Sequence, residues 1–264
     1  MPVVHVNGID VYYERSGVGA PLLFISGSGA TLAGSGPMVG LYSAHFDVVA
    51  HDQRGLGRTT VPQGPYSMAD YAADAAALAA EVGWERYRVV GTSFGGMVAQ
   101  ELAVTFPERI ERLALVCTSS GGAGGASYPL HTLLDKTAAE RAEIGLALLD
   151  TRFSAEWLAD HEDDRALAAM VADRGTAEKS EDVLRGERLQ LEARSHLDVY
   201  DRLPNITCPT LVASGRYDGI APASNGRAIA KQIPNAELRI YEGGHAFFIP
   251  VSYTHLTLPT NREV

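Results

Sequence analysis

Only two cysteines, Cys117 and Cys208, occur in the 264 residues, and neither sits in a metal-ligand spacing. That excludes a cysteine-built metal centre. Cys117, at the end of a run that reads as a buried strand, is a small hydrophobe instead. No stretch has the length and apolarity of a membrane span, and nothing at the N-terminus reads as a signal peptide. Basic residues are in the minority: 22 Lys and Arg face 32 Asp and Glu, for a formal net charge of −10. This balance argues for solubility and against nucleic acid or anionic membrane surfaces as partners. The expectation is a cytoplasmic protein, monomeric or homodimeric, that handles a small molecule. Hydrophobic residues make up 46%, a globular value, and the length suffices for one full α/β core.

What the chain does have is the run Gly91-Thr92-Ser93-Phe94-Gly95. Arg86 to Val90, before it, is short, β-branched and aromatic, and reads as a buried strand. Gly96 to Phe106, after it, is rich in Ala, Leu and Val and helical until Pro107 ends it. A Gly-x-Ser-x-Gly turn between strand and helix strains the serine and holds its hydroxyl clear of the sheet. Side chains at the flanking glycines would collide with neighbouring backbone, and the helix N-terminus favours developing negative charge. Ser93 is the expected nucleophile.

A serine hydroxyl is weak at neutral pH and needs a base and an orienting acid, here in the chain order Ser, Asp or Glu, His. Thr210 to Gly215 reads as a strand, and Asp218 follows in Arg216-Tyr-Asp-Gly, at the carboxyl end where ligands sit in open α/β sheets. Its other reading is a turn aspartate before Gly219. Ala236 to Tyr241 alternates as another strand and runs into Glu242-Gly-Gly-His245. Among the eight histidines, His245 alone follows a strand and a glycine pair that lets it reach Ser93. The loop after Leu113 to Cys117, the rival place for an acid, holds no carboxylate. For the oxyanion, one donor is the backbone N–H of Phe94. The second candidate is the backbone N–H of Ser28, in the loop Ser26-Gly-Ser-Gly29 after the strand Pro21 to Ile25; otherwise that loop is only a glycine connection.

Together, Gly91 to Gly96, His51-Asp-Gln-Arg-Gly-Leu-Gly57, Ser214-Gly-Arg-Tyr-Asp218 and Gly243-Gly-His245 resemble the α/β-hydrolase superfamily. Within it they are similar to the 3-oxoadipate enol-lactonase-like and small carboxylesterase branch. The resemblance runs to about Pro250 and implies an α/β-hydrolase fold: a mostly parallel sheet, an N-terminal antiparallel hairpin and a helical cap insertion. It implies nucleophile, acid and base roles for Ser93, Asp218 and His245. It makes Asp52 to Gly57 a tight structural turn after the fourth strand, with Asp52 and Arg54 as scaffold. One departure concerns the oxyanion loop, which in relatives usually begins His-Gly but here begins Ser26-Gly27. Serine at position 93 argues against haloalkane dehalogenases and epoxide hydrolases, which use aspartate there.

The chain divides accordingly. Residues 1–122 and 205–250 form the core, with a first hairpin around Asn7-Gly8 and strands near 21–25, 46–50, 86–90 and 113–117. Ser67-Met-Ala-Asp70 reads as a capping box opening a helix to about Val82. Strand signals vanish over 123–204, where spacings such as Leu167, Met170 and Val171 are helical; this is read as the cap, or else as a charged surface layer of helices. Gly121-Gly-Ala-Gly-Gly125 at its entrance is either a hinge or a close-packing segment. Residues 251–264 lack the helical stripe with which this fold normally closes. They resemble read-through of a transposase-type sequencing adapter, or else are a genuine irregular tail. The reading that results is a serine hydrolase acting on a small ester or lactone through an acyl-enzyme, with no metal or organic cofactor. A C–C bond hydrolase or cofactor-free perhydrolase would use the same triad, and a slow-turnover ligand receptor could retain it.

Overall fold

The computed structural model describes residues 2–173 and 180–249. Val3–Val6 (β1) and Ile9–Ser16 (β2) pair antiparallel around Asn7 and Gly8, whose φ values of 50° and 77° are the left-handed pair of a two-residue hairpin turn. Ala20–Ile25 (β3), Phe46–His51 (β4), Tyr87–Thr92 (β5), Ile110–Val116 (β6), Thr210–Gly215 (β7) and Ala236–Tyr241 (β8) complete the sheet. The strand order is β1-β2-β4-β3-β5-β6-β7-β8, parallel from β4 onward. This is the mostly parallel sheet with an antiparallel hairpin that the motifs imply.

Strand alternation sends Leu23 and Ile25 to one face and Leu22 and Phe24 to the other, and all four are buried. On the first face lie Met68–Glu81 (α2) and Phe94–Thr105 (α3). The expected capping box opens α2: the Ser67 hydroxyl accepts the Asp70 N–H, and Asp70 accepts the Ser67 N–H at 2.8 Å. Tyr71 of α2 meets Phe94 of α3 edge-on, with ring centroids 4.9 Å apart, a contact worth roughly 0.5–1.5 kcal/mol beyond area burial. It pins the first residue of α3, next to Ser93. The second face is covered by Leu32–Ser43 (α1), through Met38, Val39 and Tyr42. Beside α1, an open groove of about 420 Å³ crosses that face, bounded by Leu22, Tyr42, Phe46, Val90, Ala114 and Leu211.

Between β6 and β7 the chain is helical: Ala138–Leu149 (α4), Ala155–Asp160 (α5), Glu162–Asp173 (α6) and Glu181–Ser195 (α7). Leu167, Met170 and Val171 of α6 face a small cluster around Leu149, Phe153 and Ala246. After β7, Ala223–Gln232 (α8) packs on β7 and β8. No helix among the described residues is long and apolar enough to cross a membrane.

One local expectation changes. The strand expected to reach Cys117 stops at Val116; Cys117 turns left-handed at φ 43°, fully buried. Of the two readings of the glycine run at 121–125, the structure shows close packing. A Cβ at Gly121 would stand 1.8 Å from the Leu197 carbonyl, and one at Gly124 2.2 Å from Ser120 Oγ. The 251–264 tail lies outside the described residues.

Candidate active site

Ser93 joins β5 to α3 with φ 52° and ψ −115°, a conformation that costs a non-glycine residue roughly 1–3 kcal/mol and persists only where its surroundings enforce it. Here they do. The Ser93 N–H donates to the Val116 carbonyl at 2.8 Å, and its carbonyl accepts the Thr118 hydroxyl at 2.8 Å. The flanking glycines are sterically required: a Cβ at Gly91 would lie 2.3 Å from the Gly95 carbonyl, and one at Gly95 2.1 Å from that of Ile25.

Asp218 lies in the loop after β7. Its Oδ1 accepts the N–H groups of Ile220 and Ala221, both at 2.8 Å, which fixes the carboxylate's orientation. His245 lies in the loop after β8, where its own N–H donates to the Leu149 carbonyl of α4 at 2.6 Å. A Cβ at Gly244 would come within 2.0 Å of that same carbonyl. The Asp218 loop also holds the end of α4 and the residues just after it: the Gly219 N–H donates to the Leu148 carbonyl at 3.2 Å and the Thr151 N–H to the Tyr217 carbonyl at 2.9 Å.

The structure thus brings Ser93, Asp218 and His245 together. His245 Nδ1 is 2.9 and 2.8 Å from the two Asp218 oxygens, and Nε2 is 3.0 Å from Ser93 Oγ. The Asp218 side chain is fully buried and that of His245 is 14% exposed. An ionised carboxylate can only accept, so Nδ1 carries the ring proton and Nε2 is left to accept the Ser93 hydroxyl proton. Serine, imidazole and carboxylate form one unbroken hydrogen-bonded line.

The loop after β3 comes against Ser93 from the other side. A Cβ at Gly27 would lie 3.4 Å from Ser93 Cβ and 3.9 Å from its Oγ, so the loop that carries Ser28 passes close to the nucleophile at Gly27. Phe94 opens α3, so its N–H is among the helix-start donors that no helical carbonyl reaches. Two glutamines that the sequence reading did not single out hold the loop. Gln53 Nε2 donates to the Ser26 carbonyl at 2.9 Å, and the Gly29 N–H donates to Gln190 Oε1 of α7 at 2.8 Å. Asp52 and Arg54 are engaged in scaffold bonds. Asp52 accepts the N–H groups of Leu32 and Arg58 at 2.7 and 2.9 Å, and Arg54 pairs with Asp74 at 2.8 Å.

Cys117 Sγ lies within 4.8 Å of an Asp218 oxygen and a His245 nitrogen. Burial, with the Asp218 charge beside it, pushes this thiol well above its usual range, so it is held as S–H. A metal here would need the thiolate and would break the Asp218–His245 pair. The donor set suits hydrogen bonding better.

The sequence profile described as alpha/beta hydrolase fold matches residues 20–250. The chain is 30% identical over 254 residues to a protein of Azorhizobium caulinodans provisionally named carbamate hydrolase RutD, covering 94% of this chain and 92% of that one. It is 30% identical over 233 residues to the poly(3-hydroxyalkanoate) depolymerase of Ectopseudomonas oleovorans, covering 87% and 79%. Among solved structures, the enol-lactonase of Burkholderia xenovorans LB400 superposes with a TM-score of 0.76 at 28% identity, over 92% of each chain.

Proposed function

This chain belongs to the alpha/beta hydrolase fold family, and within it we propose a serine hydrolase that opens a small carboxylic ester or lactone. One observation carries the reading: the hydrogen-bonded line from Ser93 Oγ through His245 to Asp218, at 3.0 and 2.8 Å. Ser93 Oγ attacks the scissile carbonyl as His245 Nε2 takes its proton. Asp218 holds the imidazole in the tautomer this needs and stabilises the imidazolium. The oxyanion falls to the N–H groups of Phe94 and Ser28, the first backed by the N-terminus of α3. His245 returns the proton to the leaving oxygen, and water then repeats the attack on the acyl-enzyme. No step calls on a metal or cofactor. The helices α4 to α7 act as a cap that selects the substrate.

Replacing Ser93 by Ala tests this directly. Removing a nucleophile from a unit of this kind costs on the order of 10⁶ in kcat, and p-nitrophenyl acetate turnover should vanish. A fluorophosphonate probe should label Ser93 in the native protein and nothing in the variant. Retention of more than roughly a hundredth of the rate would place the nucleophile elsewhere. Sustained release rather than a single burst separates an enzyme from a receptor that is acylated once.

A further inference from the structure

Helix α7 is largely polar, yet it buries one face: Gly186, Gln190, Ala193 and Arg194. Gly186 rests on the turn after β4, where a Cβ would stand 1.9 Å from the Gly55 carbonyl oxygen. Arg194 pins the other end, its Nη1–H on the Tyr128 carbonyl at 2.9 Å and its Nη2–H on Ser127 Oγ at 2.7 Å, while its Nε–H has no acceptor. Gln190 lies between these anchors, one turn from each, and is fully buried. Its Oε1 accepts the Gly29 N–H at 2.8 Å. An N–H can only donate, so the oxygen end must face it, and Nε2 is left inside without an acceptor. A half-satisfied buried amide weakens a fold. Gly29, in contrast, is exposed, and water can serve its N–H. Stability therefore gives no reason for a glutamine here.

The loop it grips does give one. The Ser28 N–H meets no acceptor among the described residues, which leaves it free for an oxyanion. The Ser28 hydroxyl is buried and also without a partner, so neither group of Ser28 fixes where that N–H points. Bonds within the loop are long for their kinds: Ala30 N–H to the Gly27 carbonyl at 3.2 Å, and the Ser26 hydroxyl to the Ala30 carbonyl at 3.3 Å. The bonds from outside are shorter, Gln53 Nε2 on the Ser26 carbonyl at 2.9 Å and Gln190 Oε1 on the Gly29 N–H at 2.8 Å. They clamp the residues on either side of Gly27-Ser28. Both clamps start from one turn, which carries Gln53 and seats Gly186 against Gly55.

Resting on the serine-hydrolase reading, we propose that Gln190 is a positioning residue for the reaction: through the Gly29 N–H it holds the Ser28 N–H at the oxyanion. Helix α7 then governs the rate of the chemical step as well as the choice of substrate. The demand falls in the transition state, where the carbonyl oxygen gains charge, and not on ground-state binding. Outright loss of one oxyanion donor costs on the order of 10²- to 10³-fold in kcat. Releasing one clamp of two displaces the donor without removing it, and a shift of about 1 Å costs up to about 10²-fold.

The test is Gln190→Met, with Gln190→Leu beside it, on p-nitrophenyl butyrate. Both remove the acceptor with little change of volume. kcat and kcat/KM should fall together by roughly 10- to 100-fold, with KM held within about threefold. Propylboronic acid supplies a readout that a merely structural role would not move. Its boron accepts a lone pair of Ser93 Oγ, the hydroxyl proton passes to His245 Nε2, and one oxygen of the tetrahedral adduct takes the oxyanion's place. Its affinity should drop by the same factor as kcat/KM, while that of planar butyramide stays. The melting temperature should not fall, because the unmet Nε2 leaves with the amide. An unchanged kcat overturns the proposal, as does a loss carried by KM or an equal weakening of boronic acid and butyramide. Loss of the fold in both variants would make Gln190 structural and overturn it too. If wild type turns over no ester, the hydrolase reading falls alone. Calorimetric binding of propylboronic acid to wild type and Gln190→Met then decides. Equal affinity, or none in either protein, refutes the role of Gln190.

Discussion

His51 ends β4 fully inside the protein, and its Nδ1 has no hydrogen-bond partner. Burial drives its pKa down from 6.5 to about 4. Between these values the unfolded chain binds a proton that the folded chain refuses, so stability rises with pH across this window. The contribution is intact above pH 6.5 and drains away as pH falls toward 4. At about 1.4 kcal/mol per pH unit of displacement, the full loss is about 3 kcal/mol, and about 2.5 kcal/mol is gone by pH 4.5. That is a large fraction of an ordinary domain's stability of roughly 5–15 kcal/mol. The experiment is urea unfolding of wild type and His51→Gln at pH 7.5, 6, 5 and 4.5. The glutamine carries its own constant penalty, so the informative quantity is the difference between the two curves. Carboxylates titrate alike in both proteins and cancel. The gap should shift by about 2.5 kcal/mol in favour of the variant on going from pH 7.5 to 4.5. Parallel curves would show that His51 is not held neutral by burial, and the argument would fail.

His245→Ala and Asp218→Asn should each cripple ester turnover, and the double variant should be scarcely slower than His245→Ala, because the acid works only through the base; steady-state kinetics showing multiplied defects would refute the assignment. Exchanging the helical segment over 123–204 for that of a family member should redistribute kcat/KM among acyl chains by roughly 10- to 200-fold, the worth of a methylene or two in an apolar pocket. An unchanged selectivity profile in a folded chimera would make the segment a mere cover. Deleting Ser252 to Val264 should leave kcat on a small ester within about twofold, because Ser93, Asp218 and His245 find one another without a residue of that segment. Adding a family member's amphipathic terminal helix after Ile249 should raise the melting temperature by filling the open groove at Leu22, Tyr42 and Leu211, at about 2–4 °C per kcal/mol recovered. A deletion that stays folded yet loses activity would refute the first of these claims, and an unchanged melting point the second.

Much of the scaffold was legible because its residues answer local demands. Asn7-Gly8 is turn chemistry, Ser67 and Asp70 are a cap, and Gly91 and Gly95 are glycines that backbone a few residues away forbids from being anything else. Asp218 and His245 were legible by their places after strand ends. Gln190 and Arg194 were not. They sit on a largely polar helix, where spacing alone does not tell a buried face from a solvated one, and their significance lies in the acceptors they lack. The left-handed Cys117 was equally hidden, since nothing in Leu113 to Cys117 says that the strand turns away one residue early.

The Leu149 carbonyl, which receives the His245 N–H, gives the helical segment two regions of unlike evolutionary freedom. A one-residue insertion or deletion in α4 would rotate that carbonyl by about 100° and move it about 1.5 Å along the helix axis, removing the anchor of the base. From Ala155 to Gly186 the chain has no such bond to the Asp218 or His245 loops among the described residues. Shuffling of substrate range among descendants of this chain should therefore break in after Thr151 and before the Gln190–Arg194 face. The last turn of α4 would be inherited with the chemistry, whichever molecules the lineage comes to use.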